Sequence, residues 1–257
     1  MQYFIIAVAA LVTSGLTLFS GFGLGTLLLP VFAVFFPVET AIVITAIVHL
    51  LNNIFKFILL GKFSDWGVVI RFGMPAILAA FLGAKILLWF AELAPLAHYT
   101  LGGHVFLITP IKVVIAVLMT IFALLEILPQ LDHLTLDKKY LPAGGVLSGF
   151  FGGLSGHQGA LRSAFLLKCG LTKETFIATG VAISCIVDIT RIFVYSSRFA
   201  VEFSQKNTYL LITAIAAAFT GVFIGSRLIK KITMRTVRLL VSILLFGIAL
   251  ALGSGWI

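Results

Sequence analysis

Two rows of polar residues recur in an otherwise apolar chain, and their spacing sets the chemistry open to it. Positions i, i+4, i+7 and i+11 share one face of a helix. Within 40–61 that face carries Thr45, His49, Asn52 and Lys56, with Asn53 beside them. Within 175–196 the matching face carries Gly180, Ser184, Asp188 and Arg191. A polar row on an apolar span is predicted to turn away from lipid. A basic residue near the end of such a row either faces an anion or snorkels to the headgroups. Lys56 and Arg191 stand at equivalent positions of the two rows, which leaves both readings open. Asp188 and Arg191 are also spaced to pair within one helix, which would neutralise the arginine.

Each row is preceded by a Gly-rich knot. The first reads Ser20-Gly21-Phe22-Gly23-Leu24-Gly25. The second reads Gly152-Gly153-Leu154-Ser155-Gly156-His157-Gln158-Gly159. Glycine lets a ligand approach bare amides, and a helix beginning after the knot offers free N–H groups and a dipole to an anion. Glycine also serves tight helix packing. Ser155, His157, Gln158, Arg162 and Ser163 add side-chain donors to the second knot. His157 either tracks protonation beside an anion or ties the backbone of its knot. His157, Asp188 and Glu126 are, in that order, candidates for a proton route. Glu39 and Glu174 open the third segment of each half, where a carboxylate suits the helix dipole. Ser155 and His157 are the nearest approach to a nucleophile and its base, but no orienting acid is evident. An intramembrane enzyme is therefore the lesser alternative, and an anion channel the other.

These groups must be held in a membrane. The chain has 257 residues, 61% hydrophobic and 11% charged, with mean hydropathy +1.18. Apolar runs of helix length select spanning helices over alternating strands. The net charge of +9 does not point to nucleic acid, because the basic residues sit in gaps between apolar runs. Cys169 and Cys185 have neither metal spacing nor a disulfide framework and read as core residues. No metal or cofactor is expected. His98 and His104 read as solvated loop residues. The first apolar run lacks a basic leader and ends in glycines, so it reads as a retained span.

The apolar runs fall near 3–20, 24–36, 40–61, 67–90, 105–129, 141–154, 160–171, 175–196, 208–229 and 236–256. Runs 24–36 and 160–171 are too short for a regular crossing and read as half-helices or re-entrant pieces. At an offset of 135, Ser20-Gly21 meets Ser155-Gly156, Glu39-Thr40 meets Glu174-Thr175, Asn53 meets Asp188 and Lys56 meets Arg191. Later, at an offset of 142, Phe81-Leu82-Gly83-Ala84-Lys85-Ile86 meets Phe223-Ile224-Gly225-Ser226-Arg227-Leu228. The chain thus reads as two repeats, 1–129 and 142–257, joined by a linker at 130–141. Broken segments in duplicate are the best sequence pointer to a transporter's binding site. The basic loop around Lys230 and Lys231 is the strongest cytoplasmic candidate. Counting basic residues from it favours inverted over parallel repeats, with Lys138 and Lys139 inside and Lys85 and Lys112 outside.

The series Gly21-Phe22-Gly23-Leu24-Gly25-Thr26 through Pro30, Thr40-Ala41 and Thr45, then Asp65-Trp66, Pro75 and Gly83-Ala84, resembles the sulfite exporter TauE/SafE family. So do Gly149-Phe150-Phe151-Gly152-Gly153, Leu161-Arg162-Ser163-Ala164-Phe165-Leu166, Ala178-Thr179 and Thr190-Arg191 in the second half. The resemblance covers nearly the whole chain. It implies a bacterial or archaeal inner-membrane carrier for sulfur-containing anions, exporting in some members and importing in others. Leu24, and the pair His157-Gln158, depart from the glycines usual there. The expectation is an all-α polytopic membrane protein with roughly eight to ten membrane segments. It would move a small sulfur-containing oxyanion by rocking one half against the other. The substrate would be held by Gly21, Gly23 and Gly25, by Thr45, His49, Asn52, Asn53 and Lys56, by Ser155, Gly156, His157, Gln158, Gly159, Arg162 and Ser163, and by Ser184, Asp188 and Arg191, with possible proton coupling.

Overall fold

The structure, a computed structural model, describes residues 2–20, 24–127, 137–199, 205–228 and 234–257. Ten α-helices account for most of them: α1 (Gln2–Ser20), α2 (Leu24–Ala33), α3 (Val38–Leu60), α4 (Trp66–Glu92), α5 (Pro110–Ile127), α6 (Leu141–Ser155), α7 (Gly159–Leu166), α8 (Lys173–Phe199), α9 (Gln205–Leu228) and α10 (Met234–Gly253). The stretches Val38–Phe63, Trp66–Glu92 and Lys173–Ser197 are long and apolar enough to cross a membrane, and shorter apolar helices stand beside them. Large apolar side chains such as Ile58, Leu78, Phe193 and Leu250 point outward, as they do where the surrounding solvent is lipid. The protein is an all-α, multi-pass membrane protein.

One element departs from the sequence reading. The apolar run 105–129 is not helical throughout: its first residues belong to β2 (His104–Ile108), which pairs with β1 (Ala97–Leu101) as a hairpin. Gly102 and Gly103 both take positive φ, which a two-residue hairpin turn of this hand requires. Pro110 then opens α5, where its missing N–H costs nothing. His98 and His104 lie exposed on this hairpin. Tyr99 donates its hydroxyl to the Ser254 carbonyl at 2.8 Å, which seats the hairpin on the chain's C-terminal end.

Glycine decides how closely the helices pack. Gly145, Gly149 and Gly153 lie one turn apart on α6, and a Cβ at each would strike the α4 backbone at Phe72, Ala76 and Ala80. Gly83 of α4 answers with a surface pressed on Phe150 and Leu154. In lipid, where apolar burial between helices gains little, such small-residue contacts drive association. The rising numbers on both sides make α4 and α6 parallel. On α9, Gly221 meets the Leu11 backbone of α1 in the same way, while α3 packs on α8 and α5 on α10. Ser242 donates to the Ala123 carbonyl, while Gly253 lies beside Ala116 and Gly255 beside Leu107. Hence α5 and α10 run antiparallel.

The two short segments are short in the structure as well, with 10 residues in α2 and 8 in α7. Gly156 ends α6 in the left-handed conformation, φ 83°, and α7 then folds back so that Phe165 lies on Gly144. The last turn of α6, just before this break, packs on Ala80 and Gly83. These are central residues of α4, a helix about 40 Å long at 1.5 Å per residue. His49 and Asp188 likewise sit midway along α3 and α8. The broken chain and both polar rows therefore meet at mid-depth.

A valine at position 149 should separate α4 from α6 and lower the unfolding temperature in detergent, by a cost of about 1–3 kcal/mol for overpacking. Gly247→Ala is the control, because open space surrounds that residue; thermal unfolding of both variants is the measurement.

Candidate functional site

The centre of the site is a carboxylate removed from solvent. Asp188 is 0% exposed. Its Oδ2 lies 2.6 Å from His49 Nδ1 and 3.5 Å from Asn53 Nδ2. Its Oδ1 accepts from Gln158 Nε2 at 3.2 Å and from Arg191 Nε at 3.0 Å, with Arg191 Nη2 at 2.8 Å. Asn53, Gln158 and Arg191 can only donate here, which suits an ionised, acceptor-only carboxylate. His49 must then present an N–H at Nδ1. A buried charge persists only with such partners.

The two basic residues at the ends of the rows do not snorkel. Arg191 is 0% exposed and Lys56 is 5% exposed; both turn into the protein. Arg191 makes the pair within α8 that its spacing allowed, so Asp188 neutralises it. Lys56 differs. Among the described residues its ammonium has no hydrogen bond and no carboxylate partner, and its charged neighbour Arg162 repels it. The buried charged residues among those described are Lys56, Arg162, Arg191 and Asp188. Three cations stand with one carboxylate.

The second knot is stitched to this centre. Ser148 donates to the Gln158 carbonyl at 2.9 Å. Arg162 reaches Ser184 Oγ at 2.5 Å and Gln158 Oε1 at 3.5 Å. Ser163 is buried beside it, and Gly159 begins α7. Two glycines serve as sockets for arginine: a Cβ at Gly156 would collide with Arg191, and one at Gly180 would press on Arg162 Nε. Tyr195 donates to the Gly153 carbonyl. His157 Nδ1 lies 3.0 Å from Ser155 Oγ, and its ring stacks on Phe122 with centroids 5.0 Å apart. Ser155 also donates to the Phe151 carbonyl at 3.1 Å. Among the described residues His157 Nε2 has no partner. The Ser155–His157 pair therefore forms, but the nearby carboxylate of Asp188 is engaged by His49 rather than by His157.

The first knot is described only in part: Gly21 and Gly23 lie outside the described residues, as do the Glu126 side chain and most of the linker. Gly25 is placed. A Cβ there would lie 3.6 Å from both the Gly156 carbonyl oxygen and His49 Cδ2, so the two knots meet across the molecule. Asn52 turns to a partner that the polar rows did not suggest, accepting from Ser14 of α1 at 3.0 Å. Thr45 is buried, its hydroxyl has no partner among the described residues, and it joins none of the contacts above. Ser148 and Phe122 carry no sequence signal. Tyr195 does, because 184, 188, 191 and 195 repeat the spacing of 45, 49, 52 and 56. Cys169 is buried and Cys185 half-buried, both as free thiols.

Removing one partner of the central pair should be costly. Asp188→Asn leaves Arg191 buried without its counter-charge and should lose about 3–5 kcal/mol of stability. Adding Arg191→Met should recover much of that loss, and a double-mutant cycle of thermal unfolding in detergent measures the coupling.

Comparison with known proteins agrees with the geometry. The chain matches the sulfite exporter TauE/SafE family over residues 4–252. No curated protein and no solved structure matches it. With nearly its whole length covered, the chain belongs to the sulfite exporter TauE/SafE family and is a membrane transporter.

Proposed function

We propose that this protein carries a small sulfur-containing oxyanion, of the sulfite, thiosulfate or organosulfonate class, across the cytoplasmic membrane of a bacterium or archaeon by alternating access. One observation carries the reading: Lys56, toward the C-terminal end of α3, is buried with no counter-charge among the described residues, within a cluster holding more cations than carboxylates. Uncompensated buried charge is expensive, and an anionic solute would relieve it. In this reading Lys56 and Arg162 supply the counter-charge, since Asp188 already engages Arg191. Gln158, His157 and Ser163 line the approach from the second knot, and Gly25 and His49 from the first. Charge-assisted hydrogen bonds from Arg and Lys suit tetrahedral oxyanions. The unpartnered Nε2 of His157 is a further donor or acceptor for the ligand.

The halves 1–129 and 142–257, joined by 130–141, are on this reading inverted repeats. Three features support it. The equivalent helices α5 and α10 are antiparallel. The packing of α4 on α6 is mirrored by that of α9 on α1. Asn53 and Asp188, which align at the offset of 135, touch each other, as residues on a two-fold axis must. The α6–α7 turn then enters and leaves on one side, and α8, α9 and α10 cross. With Cys169 and Cys185 replaced by alanine, single cysteines at His104 and Ser254 should react with an impermeant maleimide from the same side. A cysteine at Lys139 should react from the other.

Proteoliposomes test the transport reading. Saturable, trans-stimulated uptake of sulfite, thiosulfate or sulfoacetate is expected, and Lys56→Ala or Arg162→Ala should each reduce it by about tenfold or more, the weight of one charged hydrogen bond. Wild-type uptake in both variants would remove these residues from the site. Current without counterflow would indicate a channel instead.

A further inference from the structure

We infer that Nε2 of His49 is the proton site of this transporter, loaded together with the anion; the inference rests on the transport reading above. The argument begins with hydrogen-bond accounting. Asn53, Gln158 and Arg191 can only donate to Asp188, so the Nδ1 proton of His49 is fixed on the carboxylate side, 2.6 Å from Oδ2. The ring nitrogen left to gain or lose a proton is Nε2. Asn53 Nδ2 lies 3.2 Å from Nδ1 and 3.4 Å from Nε2, so it is the contact with Asp188, not Asn53, that sets the two nitrogens apart. The Cδ2–Cγ edge of the ring faces Gly25, where a Cβ would stand 3.6 Å from Cδ2 and 3.9 Å from Cγ, and Nε2 is the ring atom next to Cδ2. Gly25 in turn faces the Gly156 carbonyl, so this edge points to where the two knots meet.

The charged groups around the ring set the coupling. Asp188 of α8 is the negative charge at the ring, 2.6 Å from Nδ1; Arg191 of α8 and Lys56 of α3 are the opposing positive charges. Arg162 of α7 lies beside Lys56, and His157 lies in the α6–α7 turn. α2 presents only glycine here. An anion bound at Lys56 would offset the opposing charge and let Nε2 take its proton. The new N–H would then point at the anion. Each ligand strengthens the other by the same factor, which is what obligatory co-transport needs. The pair also joins α3 to α8, the two central helices, so its state is sensed on both sides of the molecule. Imidazole is the side chain that exchanges protons near neutral pH.

The test uses thiosulfate, which carries no proton of its own at neutral pH. Full-length protein is reconstituted in pyranine-loaded vesicles, the potential is clamped with valinomycin and potassium, and labelled thiosulfate entry is followed with lumenal pH. Wild type should deliver roughly one proton per anion, the capacity of one ring nitrogen. His49→Gln should lower that ratio at least tenfold, whatever the remaining rate. His157→Gln should leave the ratio, not the rate, at its wild-type value. Thiosulfate entry in wild type without acidification overturns this inference alone, as does an unchanged ratio in His49→Gln. No anion movement in wild type overturns the transport reading with it.

Discussion

The arrangement depends on burying one carboxylate at mid-membrane depth. Asp188 cannot meet water there, so donors must come to it from wherever the fold supplies them. They come from three places: His49 and Asn53 of α3, Gln158 of the α6–α7 turn, and Arg191 of α8 itself. The carboxylate therefore fixes the crossing of the two central helices and also the position of the broken segment. Had Asp188 been apolar, α3 and α8 would lose this polar contact and the turn at Gln158 would lose its side-chain link to α8. A satisfied network of this kind specifies one arrangement, because a partly satisfied one is worse than none.

Around that centre, glycine makes room for charge. Gly156 and Gly180 do not merely bend the chain. They leave space for the guanidinium groups of Arg191 and Arg162, which any larger residue would displace. Further along α6, Gly145, Gly149 and Gly153 let backbone meet backbone. The knot region thus has two distinct uses for the same residue, with packing on one helix face and sockets on the other.

Much of this was legible from residue spacing. The i, i+4, i+7, i+11 rows mark the inward faces of α3 and α8, since polar atoms cannot face lipid, and all their members are buried. The two short helices follow from apolar runs too brief to cross. The fate of Lys56 and Arg191 was not legible: snorkelling and burial share one spacing, and only the approach of Asp188 to His49, 139 positions away, separates them. The hairpin at 97–108 escaped because β-branched and aromatic residues adjoin an apolar helix, so hydropathy runs straight through the boundary. The Gly-Gly pair was its local mark. Ser14 as a partner for Asn52 was out of reach, as nothing on α1 says which helix it meets.

The glycine faces of α4 and α6 have one more consequence. These helices come from opposite sides of the linker, yet their backbones interlock, and α1 with α9 repeats the exchange. Each half of the chain has in effect lent a helix to the other, like two hands with fingers laced. A movement that preserves these seams would carry α4 along with α6, and its moving bodies would then each draw helices from both sides of the linker.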